Sequence, residues 1–90
     1  MKGQNMSIKL QADVVVTDTE YGSVLLDERG GAYWNLNPTG ALVLRALLAG
    51  GTEHDAAQTI AEEYRLDPRD ATTDVAELVT GLRTAGLITS

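Results

Sequence analysis

His54 is the single histidine of the sequence and stands between Glu53 and Asp55. An imidazole among carboxylates could hold a metal ion or move a proton, but either task needs partners converging from elsewhere in the chain. No such partners stand out, and His54 reads as a solvated residue in the first turn of a helix. Serines occur at Ser7, Ser23 and Ser90, none in the strand-to-helix turn that activates a nucleophile. Lys2 and Lys9 sit near the N-terminal end with no apolar pocket to make either a nucleophile. The chain has no cysteine, which removes disulfides, thiolate zinc sites, iron–sulfur clusters and cysteine nucleophiles together. Gly30-Gly31 and Gly50-Gly51 lack the residues that make a phosphate-cradling loop. Asn37-Pro38-Thr39 fails as a glycosylation acceptor because proline holds the middle position. The expectation is a non-catalytic protein without metal or cofactor.

Two other patterns bear on binding. Asp67, Asp70, Asp74 and Glu77 are spaced three, four and three apart, which strings them along one face of a helix. Spread over about three turns, they do not converge on one ion. They form either a solvated acidic face or an acidic rim for a basic partner peptide. Tyr33 and Trp34 are adjacent, so on a strand they point to opposite faces. Trp34 shares its side with Ala32 and Leu36 and is the core candidate. Tyr33 points away, either covering the outer sheet surface or offering its ring to a ligand.

The elements that carry these residues follow from periodicity and punctuation. Ile8, Leu10, Ala12, Val14 and Val16 alternate with a mainly polar face, which predicts one half-buried strand. The polar run from Thr17 to Glu20 predicts a loop. Ser23–Asp27 predicts a second strand, the glycine pair a hairpin connection, and Ala32–Leu36 a third strand. Asn37 followed by Pro38 predicts an N-cap and first helical residue, with the helix running over Pro38–Ala49 and stopped by Gly50-Gly51. Thr52 caps a second helix, with Asp55 placed for a capping box. Asp67-Pro68 repeats the cap-and-proline signal for a third helix ending near Ala85, before Gly86. Leu87-Ile88 is a short tail that can tuck against the core. Strands followed by helices give the α+β class: a three-stranded antiparallel sheet and then three helices. Three strands cannot close a barrel, so at least one edge keeps unpaired backbone groups and is a candidate binding surface.

Ninety residues make one small domain, expected to span 1–90 with its core at about 8–88. The net charge is −6 and the pI about 4.5. That sign opposes nucleic-acid and anionic-membrane binding, since both depend on Lys and Arg at phosphates. The N-terminal segment has no apolar run of the secretory kind, and no stretch approaches the ~20 apolar residues of a membrane span. With the lack of cysteine, this points to a cytoplasmic protein.

The run from Gly22 to Gly50, GSVLLDERGGAYWNLNPTGALVLRALLAG, has the layout G-x-[VL]-L-L-D, then G-x-Y-[YW]-x-L-N-x-T-[GA]. Leu36-Asn37-Pro38-Thr39-Gly40 is its most specific piece. Gly50-Gly51-Thr52, the spaced Ala56, Ile60, Ala61 and Tyr64, and a closing Leu82-x-x-Ala85-Gly86-Leu87-Ile88 keep the same order. In this the chain resembles the PqqD-like family, the recognition elements of ribosomally made and modified peptides. The resemblance covers about residues 8–88 and implies a winged-helix-like fold. It also implies binding of the leader segment of a precursor peptide, as a strand added to the third strand and packed in the groove beside the third helix. Carried onto this sequence, the peptide-binding residues are Ala32, Tyr33, Trp34, Asn35 and Leu36, with Ala71, Asp74, Val75 and Leu78 as the groove wall. The free-standing form and the Tyr33-Trp34-x-Leu36-Asn37 segment most resemble the lasso-peptide kind. There the partners are a separate cysteine-protease-type leader peptidase and an ATP-dependent cyclase. The alternatives are a quinone-pathway peptide chaperone for a radical enzyme, and a winged-helix DNA-binding protein. The latter is opposed by the acidic third helix, where a groove-entering helix needs the opposite sign.

Overall fold

The computed structural model describes residues 8–89; Lys2, Ser7 and Ser90 lie outside them. In chain order the elements are β1 (Lys9–Leu10), β2 (Val14–Thr19), β3 (Gly22–Asp27), β4 (Tyr33–Leu36), α1 (Pro38–Leu48), α2 (Glu53–Tyr64), α3 (Pro68–Thr84) and β5 (Ile88–Thr89). The main sheet is antiparallel with order β2-β3-β4. The three helices follow it, as expected for the α+β class.

The first strand departs from its expected form. Alternation predicts one strand from Ile8 through Val16, but a turn at Asp13 divides it. Asp13 has φ 72°, and the Val14 amide donates to the Gln11 carbonyl at 3.1 Å. Asp is one of the few residues that visit this left-handed region at low cost. The piece before the turn, β1, pairs not with the main sheet but with β5, in the register Lys9↔Thr89 and Leu10↔Ile88. The tail therefore tucks in as a strand. The predicted loop at Thr17–Glu20 is also shorter than expected. β2 continues to Thr19, and Glu20-Tyr21 alone make the hairpin turn, with the Tyr21 amide donating to Thr19 Oγ1 at 3.1 Å. Polar side chains there face solvent, so composition said nothing against a strand.

Gly22 opens β3 with φ 137°, and a Cβ built there would fall on the carbonyl oxygen of Leu36. Only glycine lets β3 approach the β4–α1 junction this closely. The helix starts follow the sequence signals. Asn37 Oδ1 accepts from the Gly40 amide at 2.8 Å, with Pro38 in the first turn. Thr52 and Asp55 exchange side-chain-to-backbone bonds at 3.0 Å each, a complete capping box. Asp67 Oδ1 accepts from the Arg69 amide at 2.8 Å at the head of α3.

The core fills the space between the inner sheet face and the helices. Leu25, Leu44, Leu47, Ile60, Val75, Val79, Leu82 and Ile88 are its most enclosed large side chains. Trp34 is not one of them. Its indole is half-buried at the margin and lies against Gly81 of α3, where a Cβ would come within 3.3 Å of Cη2 and 3.4 Å of Cζ2. The missing side chain of Gly81 makes the seat for the ring.

Candidate functional site

Among the described residues β4 pairs only with β3, which leaves its other edge open. Which groups it offers follows from the register. The Asp27 amide donates to the Ala32 carbonyl at 2.8 Å, and the ladder continues with Leu25↔Trp34 and Ser23↔Leu36. In an antiparallel pair, hydrogen-bonded residues alternate with residues whose backbone groups face outward. Trp34 and Leu36 thus bond inward to β3. Tyr33 and Asn35 turn their N–H and C=O groups to the open edge, giving two donors and two acceptors in strand spacing. Ala32 precedes the strand, and its carbonyl is held by Asp27.

Below this edge lies a groove of about 470 Å³ between β4 and α3. Trp34, Leu36, Val43, Ile60 and Leu78 give it apolar surface, while Asn35, Asn37, Thr39, Asp74 and Glu77 give it polar groups. On α3 the facing residues are Asp74, Glu77 and Leu78, and Gly81 continues the same stripe beneath the Trp34 ring. The groove and the open edge adjoin, so a peptide paired to β4 would direct every second side chain into the groove.

Of the residues expected to line this site, Trp34, Asn35, Leu36, Asp74 and Leu78 do so. Tyr33 is 66% exposed on the outer face, in register with the exposed Leu26 and Val15, away from the groove. Ala71 and Val75 do not line the groove. They are 0% and 1% exposed and belong to the core, not to the groove wall. The wall lies one position away, a helical rotation of about 100°. Glu77, read in the sequence only as part of a possible acidic rim, also lines the groove, as do Asn37, Thr39 and Val43, which were not singled out as site residues. The motif Leu36–Gly40 contains four residues of the groove, Leu36, Asn37, Thr39 and Gly40, but the N-cap reading already accounted for Asn37.

No reactive center emerges elsewhere among the described residues. His54 is exposed and lines a shallow groove between α2 and α3. Ser23, the buried polar residue, donates its hydroxyl to Asp18 at 2.8 Å and faces no base. No group of three or more His, Asp or Glu side chains is placed to hold a metal among the described residues. No described helix is long and apolar enough to cross a membrane.

Against known proteins, the PqqD family model, coenzyme PQQ synthesis protein D, matches residues 22–88. No curated protein matches the chain significantly by sequence. A solved structure described as lasso peptide synthetase B1 complexed with the leader peptide is 42% identical, with a TM-score of 0.87, over 93% of this chain and 99% of its own. TbiB1 in complex with the TbiA(beta) leader peptide has a TM-score of 0.82 at 23% identity, over 91% of this chain and 95% of its own. The PqqD truncation of Methylobacterium extorquens PqqCD, described as a stand-alone recognition element, has a TM-score of 0.74 at 21% identity, over 92% and 88%. The last two show the same fold. With the family match running from the Gly22 hairpin through α3 to β5, this chain belongs to the PqqD family.

Proposed function

We propose that this protein binds the leader segment of a ribosomally made precursor peptide, of the lasso kind, and presents it to modifying enzymes. The leader adds as a strand to the open edge of β4 and sends alternate side chains into the groove beside α3. Backbone hydrogen bonds supply affinity, and the groove supplies selectivity. The observation that carries this is the open edge of β4 above the groove. It occurs in a chain 42% identical, over nearly its whole length, to a lasso peptide synthetase B1 solved with its leader.

On this reading residues 1–90 form one recognition domain working in the cytoplasm and performing no chemistry itself. A separate cysteine-protease-type peptidase removes the leader, and an ATP-dependent cyclase closes the core. Fluorescence polarization with the labeled leader peptide of the lasso peptide synthetase B1 complex tests the reading. Binding in the low-micromolar range or tighter, about −8 kcal/mol, is expected for the leader alone. Equal affinity for a scrambled leader refutes it.

A further inference from the structure

The groove is lined by both carboxylates and apolar side chains, and strand pairing fixes how a peptide would meet them. The Trp34 ring on Gly81 closes the groove at the C-terminal end of α3. Leu36, Val43, Ile60 and Leu78 give an apolar floor. Asp74 and Glu77, three apart on α3, line the same space with Leu78. The ion pairs among the described residues are Arg29–Asp13, Arg45–Asp18 and Arg69–Asp67, so neither groove carboxylate has a described cation beside it. No described Lys or Arg lines the groove.

A strand added to β4 places residues two apart on the same face, about 6.6–6.8 Å from one another. On α3, Asp74 and Leu78 are four residues apart, about 6 Å along the axis. Two consecutive inward side chains therefore match the distance between the carboxylate and the apolar part of the wall. A long basic side chain suits the carboxylate part of the wall best. Its charged head can reach Asp74 and Glu77, while the neighboring inward side chain lies on Leu78 toward the Trp34 ring.

Building on the leader-binding reading above, we infer that the groove selects a two-point signature. One inward-facing leader residue is apolar, and the inward-facing residue two positions away is Lys or Arg, held by Asp74 and Glu77. The outward-facing residue between them is free of this requirement.

The probe is the fluorescein-labeled leader peptide of the lasso peptide synthetase B1 complex, with each Lys and Arg replaced in turn by Gln. One replacement, two positions from an apolar residue essential for binding, is expected to weaken binding about two- to fivefold, the range of a partly exposed ion pair. The same replacement has little effect on Asp74→Asn/Glu77→Gln. Wild-type affinity falls with added salt more steeply than that of the double variant. Charge reversal gives a stricter check: Asp74→Lys with the leader's Lys replaced by Glu recovers affinity that either change alone loses. The inference is overturned if the leader binds tightly but every Gln replacement is neutral, or if the double variant keeps the wild-type salt dependence. It is also overturned if a tightly bound leader has no basic residue two positions from its apolar anchor. Failure of the parent reading looks different, since the unaltered leader would then bind no better than its scramble. Circular dichroism of each variant confirms the fold, and Asp74 and Glu77 are solvent-exposed positions whose replacement leaves the core intact.

Discussion

Asn35→Pro separates strand addition at β4 from every other mode of binding. The Asn35 N–H faces the open edge, so proline there removes no bond of the β3–β4 ladder. Edge strands tolerate proline on the side facing solvent, and Trp34 before it is already extended. What changes is the edge itself. The donor to a leader carbonyl is lost, and the ring carbons occupy the approach of the added strand. A net hydrogen bond is worth about 0.5–1.5 kcal/mol, and a leader carbonyl left without donor or water adds about 1–3 kcal/mol. A loss near 2–4 kcal/mol corresponds to a roughly 30- to 1,000-fold weaker Kd. Asn35→Ala keeps the N–H and stays within about threefold of wild type. Fluorescence polarization measures the affinities, and thermal melting followed by circular dichroism reports the fold. If Asn35→Pro melts near the wild-type temperature and binds the leader as tightly, the peptide does not pair with β4 and the edge argument fails.

Gly22→Ala forces a Cβ onto the Leu36 carbonyl at φ 137°. We expect a loss of about 2–5 kcal/mol and a fall in Tm of about 10 °C or more; an unchanged melting curve contradicts the close approach. Leu78→Asn should leave the protein folded and weaken leader binding by about 1 kcal/mol or more. Glu53→Lys, on exposed α2 outside the groove, should not weaken it, and equal effects in a titration would misplace the site. Asp55 is held below its ordinary pKa of 3.8, first by the hydrogen bond from the Thr52 amide and then by the Thr52 hydroxyl. A lowered folded pKa means the carboxylate stabilizes above the ordinary value and loses that contribution as pH falls through the folded one. Wild type should therefore exceed Asp55→Asn in urea stability at neutral pH, with the gap closing below about pH 4. Finally, the purified protein should not cleave a precursor peptide by itself; turnover that survives repurification and follows the protein peak would refute this.

Much of the fold is legible in the sequence because its punctuation is local. Asn37-Pro38, Thr52 with Asp55, and Asp67-Pro68 each satisfy helix N-terminal amides within three residues, and all three helices start there. What escapes is geometry set by distant partners. The alternation across Ile8–Val16 is genuine, but the turn at Asp13 and the pairing of β1 depend on β5, almost the whole chain away. Trp34 is on the inner face as alternation requires, yet alternation gives the side and not the depth. Gly81, 47 positions further on, seats the ring at the margin. The groove wall shows the same limit. Apolar spacing groups Ala71, Val75, Leu78, Val79 and Leu82 as one buried stripe, but Leu78 is half-buried in the groove while the other four face the core. Since α3 packs chiefly on α2, the surface toward β4 is the neighboring stripe of Asp74, Glu77, Leu78 and Gly81. A helical wheel contains both stripes and does not say which one meets the sheet.

The pairing of β1 with β5 has a mechanical consequence. Lys9 lies opposite Thr89, so the two ends of the described chain leave the fold from adjacent points in an antiparallel pair only two residues long. Tension applied through both ends loads this clasp as a zipper, one hydrogen-bonded step at a time, rather than shearing all its bonds together. Opening it pulls on Ile8, Leu87 and Ile88, which are 6%, 2% and 2% exposed, and so draws core side chains into water. Force on a single end has no such lever, because the opposite strand remains anchored to its helix. A tether or surface attachment at one terminus therefore leaves the domain intact under load, whereas stretching it between two attachments starts unfolding at the β1–β5 seam.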